Sequence, residues 1–349
     1  MSVTKTLYGN TNSKDVFAYT IENSKGTKAV ILTLGATLDK LIIKNKDGVF
    51  TDVLVGHDDI DGHVNRSDYQ GVVVGQFANR IKDGKFTIDG TQYNVTCNEK
   101  GITCLHGGGE YSSAIWDAII TDDNAVEFAY FSPDGKEGFP GNVKVTVTYT
   151  LTDDNALSIG YSAVSDKKTI INLTNHAYFN LNGYKCNTAL DHTVTINADF
   201  YTPIDEISIP TGELAPVEGT PFDFREEKYL SAGILGSHKD ITLGGGLDHC
   251  VVFADRGEGM HERVKVTSPD GLVTLKTHTD MPAVQLYSGN FLGNKKYPFR
   301  GGEKQIKRAA FCLETEAYPD SVNHDNFTNT ILRPGEEYKT ATVYEFIAN

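Results

Sequence analysis

The chain has 349 residues, 39% of them hydrophobic and 22% charged, an ordinary globular composition with enough apolar material for a core. Its formal charge of -14 argues against a nucleic-acid partner, which requires clustered Lys and Arg, and against anionic membrane surfaces. A neutral, hydroxyl-rich ligand is compatible with that charge. The five cysteines, Cys97, Cys104, Cys186, Cys250 and Cys312, are odd in number and widely spaced, with no C-x-x-C pair. They suggest neither a disulfide framework nor a zinc knuckle, but reduced, mostly buried thiols in a cytoplasmic protein. Met1 to Tyr8 lacks a basic segment followed by an apolar run, and no stretch is long enough to span a bilayer.

Two-residue alternation dominates the chain and marks strands with one buried face. Ala29 to Ile43 reads as a strand. Val143, Val145, Val147, Tyr149 and Leu151 alternate with Lys144, Thr146, Thr148 and Thr150. Asp153-Asp154-Asn155 supplies a turn, and Leu157, Ile159, Tyr161 and Ala163 resume the alternation, which predicts an antiparallel hairpin. Val264 to Thr267, Pro269-Asp270-Gly271 and Leu272 to Thr277 predict a second hairpin. Thr340 to Ile347 reads as another strand. Helical periodicity is scarce, with no amphipathic helix longer than about three turns. Without repeats, low-complexity tracts or linkers, residues 1–349 read as a single domain. Its class is all-β and antiparallel, a large sandwich or a barrel, between which periodicity does not choose.

Five segments carry chemistry. Gly75-Gln-Phe-Ala-Asn-Arg-Ile81 follows an apolar run, and Arg80 could snorkel to the surface or offer its planar fork to ligand hydroxyls. Leu105-His106-Gly107-Gly108-Gly109 sets a His where backbone can approach a ligand. In Ile171 to Asn180, the polar residues Asn172, Thr174, Asn175 and His176 interrupt a strand-like segment. Buried polar groups are costly unless satisfied, so they form either a bonded core network or a site. Asp248 follows the glycines 244–246, where a turn Asp is the bland reading. Glu314 sits in the apolar run Phe311-Cys-Leu-Glu, and burial there should raise its pKa toward neutrality, as suits a general base.

These segments, with Ile209-Pro-Thr-Gly-Glu, Gln285-Leu-Tyr-Ser-Gly-Asn-Phe and Leu332-Arg-Pro-Gly-Glu, resemble the aldose 1-epimerases, or galactose mutarotases, in both order and spacing. The resemblance runs from about Leu34 to the C-terminus. It implies a large antiparallel β-sandwich (a galactose mutarotase-like supersandwich) with a cleft for one sugar. It implies Glu314 as general base, His176 as general acid and His106 as a second active-site His. Asn79, Arg80 and Asp248 match substrate-anchoring positions, and Tyr178 and Gln285 would line the pocket. The implied reaction interconverts the α and β anomers of a free hexose such as galactose or glucose through ring opening, C1–C2 rotation and reclosure. It needs no cofactor and no metal; the implied assembly is a monomer or homodimer.

A Glu314 pKa near neutrality and a His176 pKa near its reference of about 6.5 would supply both protonation states near pH 7. Two departures stand out. The interval Gly109-Glu-Tyr-Ser-Ser-Ala-Ile115 before Trp116 lacks the Phe-Asp-Lys stretch frequent in the family. Glu316 stands where Gln is frequent; on a strand it would share a face with Glu314, raise its pKa and move the acid limb of activity upward. Alternatives are an epimerase acting on a disaccharide reducing end, a glycoside hydrolase using Asp248 and Glu314, a non-catalytic sugar-binding protein, and a metal enzyme built on His106, His176 and a carboxylate.

Overall fold

Alternation turns into strands where it is most regular. Val143–Leu151 pairs antiparallel with Ala156–Ser165. Val145, Val147, Tyr149, Ile159 and Tyr161 are buried on one face, while Lys144 on the other is exposed. Burying each such apolar side chain contributes about 1.5–3 kcal/mol. The second predicted hairpin forms from His261–Thr267 and Val273–Thr279, and the C-terminal strand extends over Glu337–Ala348. The computed structural model describes residues 1–66, 68–185, 187–293 and 296–349. Cys186 therefore lies outside the described residues; Cys97, Cys104, Cys250 and Cys312 are free thiols, the last three buried.

Three large sheets organise the chain. A five-stranded sheet runs in sequence order from Ser2–Thr11 to Phe50–Asp52. A nine-stranded sheet holds both hairpins, with Glu337–Ala348 between Ala156–Ser165 and Val273–Thr279. A six-stranded sheet places Phe311–Glu316 between Tyr178–Phe179 and Ala283–Tyr287, followed by Asp248–Phe253. The nine- and six-stranded sheets pack face to face. Tyr149, Leu275, Tyr344 and Phe346 from one meet Phe179, Phe311, Leu313 and Val284 from the other in a single apolar cluster. The Tyr344 hydroxyl crosses the layer to donate to Leu313 O at 3.1 Å. This is the sandwich rather than the barrel.

One predicted strand is corrected. Ala29 to Ile43 is two antiparallel strands, Lys28–Leu32 and Thr37–Lys44. The break falls at Gly35 and Ala36, with φ of +66° and +44°. A Cβ on Gly35 would lie 2.5 Å from Ser112 O, so only glycine fits there. The apolar sequence around the turn hides it from periodicity. The expected shortage of helix holds: the α-helices Ile60–Val64, Glu110–Ser113 and Lys239–Leu243 have four or five residues. No helix among the described residues is long and apolar enough to cross a membrane.

Candidate active site

The six-stranded sheet decides where the chemistry lies. Along Phe311–Glu316 successive side chains point to opposite faces. Phe311 and Leu313 enter the core and Thr315 bonds to Thr342 of the facing sheet. Cys312, Glu314 and Glu316 therefore share the outer face. Register brings Gln285 beside Glu314, Tyr287 beside Cys312, and Asp248 beside Tyr287 on that face. A cleft of about 260 Å³ opens over it, walled by Asn79, Arg80, His106, His176, Tyr178, Asp248 and Glu314, with Tyr69, Glu99 and Tyr287 among the remaining residues.

His176 follows Thr174–Asn175, which pairs with Val73–Val74 rather than with the large sheets. Its backbone N–H donates to Val72 O at 2.9 Å, and its carbonyl accepts from Gly71 N at 2.8 Å. The ring stacks on Tyr178, centroids 4.9 Å apart and planes at 13°. Its Nε2 lies 3.6 Å from Glu314 Oε2, and its Nδ1 lies 3.5 Å from Cys312 Sγ.

His106 rides on the glycine turn. Gly107 has φ +65°, and a Cβ there would sit 2.2 Å from Gly75 O, which lets the two backbones touch. Its Nδ1 accepts from Asn79 N at 3.1 Å. A neutral imidazole bonded this way carries its proton on Nε2 and is a donor. Donor atoms of His106, His176 and Glu314 lie within 4.8 Å of one another, close enough to hold a metal ion. The tautomer of His106 instead offers a hydrogen, where a metal needs a lone pair.

Arg80 is held by a two-point ion pair with Glu99, Nε to Oε2 and NH2 to Oε1 at 2.8 Å each. Thr103 Oγ1 donates to the same carboxylate at 2.6 Å. Asn79 is a hub as much as a wall. Its amide Nδ2 donates to Glu316 Oε1 at 3.1 Å, and its Oδ1 accepts from Arg80 N at 2.9 Å. Gln285 does not line the cleft. It sits behind Asp248 and donates from Nε2 to Asp248 Oδ1 at 2.7 Å.

Depth sets the protonation. Burial, then the neighbouring Glu316 and Asp248, pushes Glu314 well above the usual carboxylate range, with Arg80 opposing. Glu316 is raised likewise by burial and by Asp248. Burial drives His176 down to about 3 and His106 well below its ordinary value, the latter helped by His176 and Arg80. This corrects the expectation of a His176 pKa near 6.5: the ring is only 6% exposed, and desolvation disfavours its charged form. In the free protein the proton shared by this pair therefore rests on Glu314.

Sequence reasoning missed Glu99, Tyr69 and Tyr287 as cleft residues. Nothing local in Asn98-Glu99-Lys100 signals that Glu99 pairs with Arg80. Tyr287 does lie in a matched segment, two residues after Gln285, on the same strand face.

A family model described as aldose 1-epimerase matches residues 18–345. The chain is 39% identical to the galactose mutarotase of Rattus norvegicus over 349 residues, covering 99% of each chain. It is 39% identical to the aldose 1-epimerase of Escherichia coli (strain K12) over 332 residues, covering 94% of each. Among solved structures, the galactose 1-epimerase of Lactobacillus acidophilus NCFM superposes with a TM-score of 0.87 at 28% identity, covering 100% of this chain and 99% of that one. The GalM/aldose epimerase homologue of C. elegans gives 0.85 at 32% identity, covering 94% and 98%. A buried carboxyl facing an imidazole across a polar cleft, on this supersandwich and with matches of this length, places the chain in the aldose 1-epimerase family of isomerases.

Proposed function

We propose that the chain is a mutarotase that interconverts the α and β anomers of a free hexose such as galactose or glucose. The observation that carries this reading is Glu314 set 3.6 Å from His176 on the wall of the cleft. At about 260 Å³ the cleft is below the roughly 300–1,000 Å³ of drug-sized sites and suits a single sugar ring. A cytoplasmic setting fits the free thiols.

In this mechanism Glu314 takes the anomeric hydroxyl proton while protonated His176 delivers one to the ring oxygen. The C1–O5 bond breaks and a C1 carbonyl forms. Rotation about C1–C2 turns the other carbonyl face to O5. His176 then takes back the O5 proton, Glu314 returns its own to O1, and the opposite anomer closes. The pair holds one proton throughout, which moves from His176 in the reactive closed-ring arrangement to Glu314 when the ring is open. Burial favours the proton on Glu314, so the reactive closed-ring arrangement is a minor one that ring opening relaxes. His106 Nε2–H is a donor for charge developing near the ring oxygen. Arg80, Asn79 and Asp248 anchor hydroxyls, and Gln285 holds the Asp248 carboxylate still.

Polarimetry of freshly dissolved α-D-galactose and α-D-glucose tests the reading. Decay to the equilibrium rotation faster than buffer is the expected result. Decay at the buffer rate for both sugars would move the activity to another substrate, and release of sugar from an aryl glycoside would favour a hydrolase.

A pH profile follows from the shared proton. Activity falls at low pH as His176 gains a further proton, toward about pH 3. It falls at high pH as Glu314 loses the shared one, above the usual carboxylate range. The effect of Glu316 therefore belongs on the alkaline limb, not on the acid limb expected from the sequence. Glu316→Gln removes a neighbouring charge, lowers the Glu314 pKa and shifts the alkaline limb down. A pH–rate series on both proteins reads this directly. An alkaline limb that stays in place would show that Glu316 does not act on Glu314.

A further inference from the structure

We infer that Tyr69 is a positioning residue for both imidazoles, a wedge that fixes the planes of His106 and His176 and partitions the sugar cleft from a second cavity. This rests on the reading of Glu314 and His176 as the acid/base pair.

The ring of Tyr69 meets His106 edge-on at 4.6 Å between centroids and lies nearly parallel to His176 at 6.2 Å, planes at 19°. Tyr178 also stacks on His176, so two aromatic rings lie nearly parallel to the imidazole. Both ends of Tyr69 are fastened to the histidines it touches. Its backbone has φ +56° and opens a tight turn, Val72 N donating to Tyr69 O at 3.2 Å. That turn supplies the Gly71 N–H and Val72 carbonyl that bind both backbone groups of His176. A Cβ on Gly71 would lie 2.3 Å from Leu38 O, so the turn has little freedom to shift. The Tyr69 hydroxyl accepts from Asn98 Nδ2 at 3.2 Å. The same Asn98 side chain donates to Leu105 O at 2.9 Å and accepts from Leu105 N at 2.7 Å, one residue before His106. A non-glycine residue in the left-handed region costs about 1–2 kcal/mol, and here that strain puts a flat ring between two imidazoles.

Tyr69 also borders a second cavity of about 270 Å³, which Thr11, His63, Arg66 and Ser112 help to line. Loss of the ring would join the two spaces and let water reach His176. Among the described residues, Glu314, His106, Cys312, Tyr178 and Tyr287 also face His176. Rotation of the freed imidazole would carry Nε2 away from Glu314, and a displacement of about 1 Å at a reacting pair can cost about 100-fold in rate.

The test uses Tyr69→Phe and Tyr69→Ala in the full chain, with thermal melting to confirm folding. Tyr69→Ala is expected to lower kcat by about 30- to 100-fold with KM changed less than about threefold, while Tyr69→Phe stays within about threefold of wild type. Independently of turnover, NMR titration of the sugar-free proteins should show His176 gaining its proton at higher pH in Tyr69→Ala, because hydration returns. If Tyr69→Ala does not fold, Tyr69→Leu removes the flat ring while keeping apolar bulk, and a fall in kcat without a comparable change in KM is its expected readout. Wild-type kcat together with a wild-type imidazole titration in the truncated variant would overturn the inference. So would a Tyr69→Phe as damaged as Tyr69→Ala, because the ring would not be the acting part. A wild type that mutarotates no sugar would sink the functional reading, yet the titration would still decide the role of Tyr69.

Discussion

Replacing Glu314 by Gln is expected to slow mutarotation by about 10³-fold or more, from the 10²- to 10⁴-fold that a positioned acid/base group supplies. Gln keeps the volume and one carbonyl oxygen but cannot take the anomeric proton or hand it back. Because the same group acts in opening and in reclosure, both half-reactions should fall together. KM should change little, since Arg80, Asn79 and Asp248 stay in place around the cleft. Folding should not suffer. Glu314 is almost fully buried and its pKa in the folded state is raised. A carboxyl of that kind stabilises the fold below its unfolded pKa, and that contribution is lost as pH rises through the folded value. The variant should therefore melt at least as high as wild type, with its advantage growing toward alkaline pH. Polarimetry paired with thermal melting at two pH values checks both arms. Activity within about tenfold of wild type would remove Glu314 from the reaction.

The contrast between Glu314 and its partners shows what a linear sequence conveys. A carboxylate inside Phe311-Cys-Leu-Glu is conspicuous, because an apolar run has no solvent for it, and the strand with Glu314 and Glu316 on one face follows from a period of two. The hairpin at 143–165 is legible for the same reason, whereas the turn at Gly35 is not, since the sequence around it is mostly apolar and holds no run of polar turn residues. The His176 segment was visible as polar residues where a strand should be apolar. Its depressed pKa was not, because desolvation depends on what closes over the ring, and Tyr69 comes from a distant part of the chain. Glu99 and Gln285 were hidden by scale: one pairs with an arginine 19 residues away, the other with an aspartate 37 residues away. Such contacts are set by sheet register and loop packing, which local pattern does not encode.

Arg300→Met is expected to destabilise the fold by about 3–5 kcal/mol, the usual cost of removing one partner from a buried ion pair. Arg300 is 5% exposed and reaches back more than two hundred residues to the five-stranded sheet. Its NH2 donates to Asp39 Oδ1 at 2.6 Å and to Asp39 O at 2.9 Å, and its NH1 to Asp52 Oδ2 at 2.5 Å. Burial raises Asp39, but the His63 bond and the Arg300 charge outweigh it and hold the carboxyl below its ordinary value. Asp52 is pushed by burial up to about 6 even with Arg300 opposing. Without the guanidinium both carboxylates would be left charged in a dry interior; the Asp39 pKa would rise from its depressed value and that of Asp52 would rise further. The variant's stability should therefore fall as pH rises through those raised values, so its deficit relative to wild type should be larger at pH 8 than at pH 5. Adding Asp39→Asn and Asp52→Asn should recover part of the loss, since it removes the stranded charges. The strand carrying Asp39 also reaches the site: Leu38 N donates to Gly71 O at 2.8 Å, in the turn that clamps His176. Even so, the folded fraction should keep wild-type turnover, because Arg300 touches neither the cleft nor the imidazoles. Denaturant titrations at the two pH values, with activity measured below the unfolding transition, separate these effects. A loss below about 1 kcal/mol at pH 8 would mean that water, not Arg300, satisfies the two carboxylates.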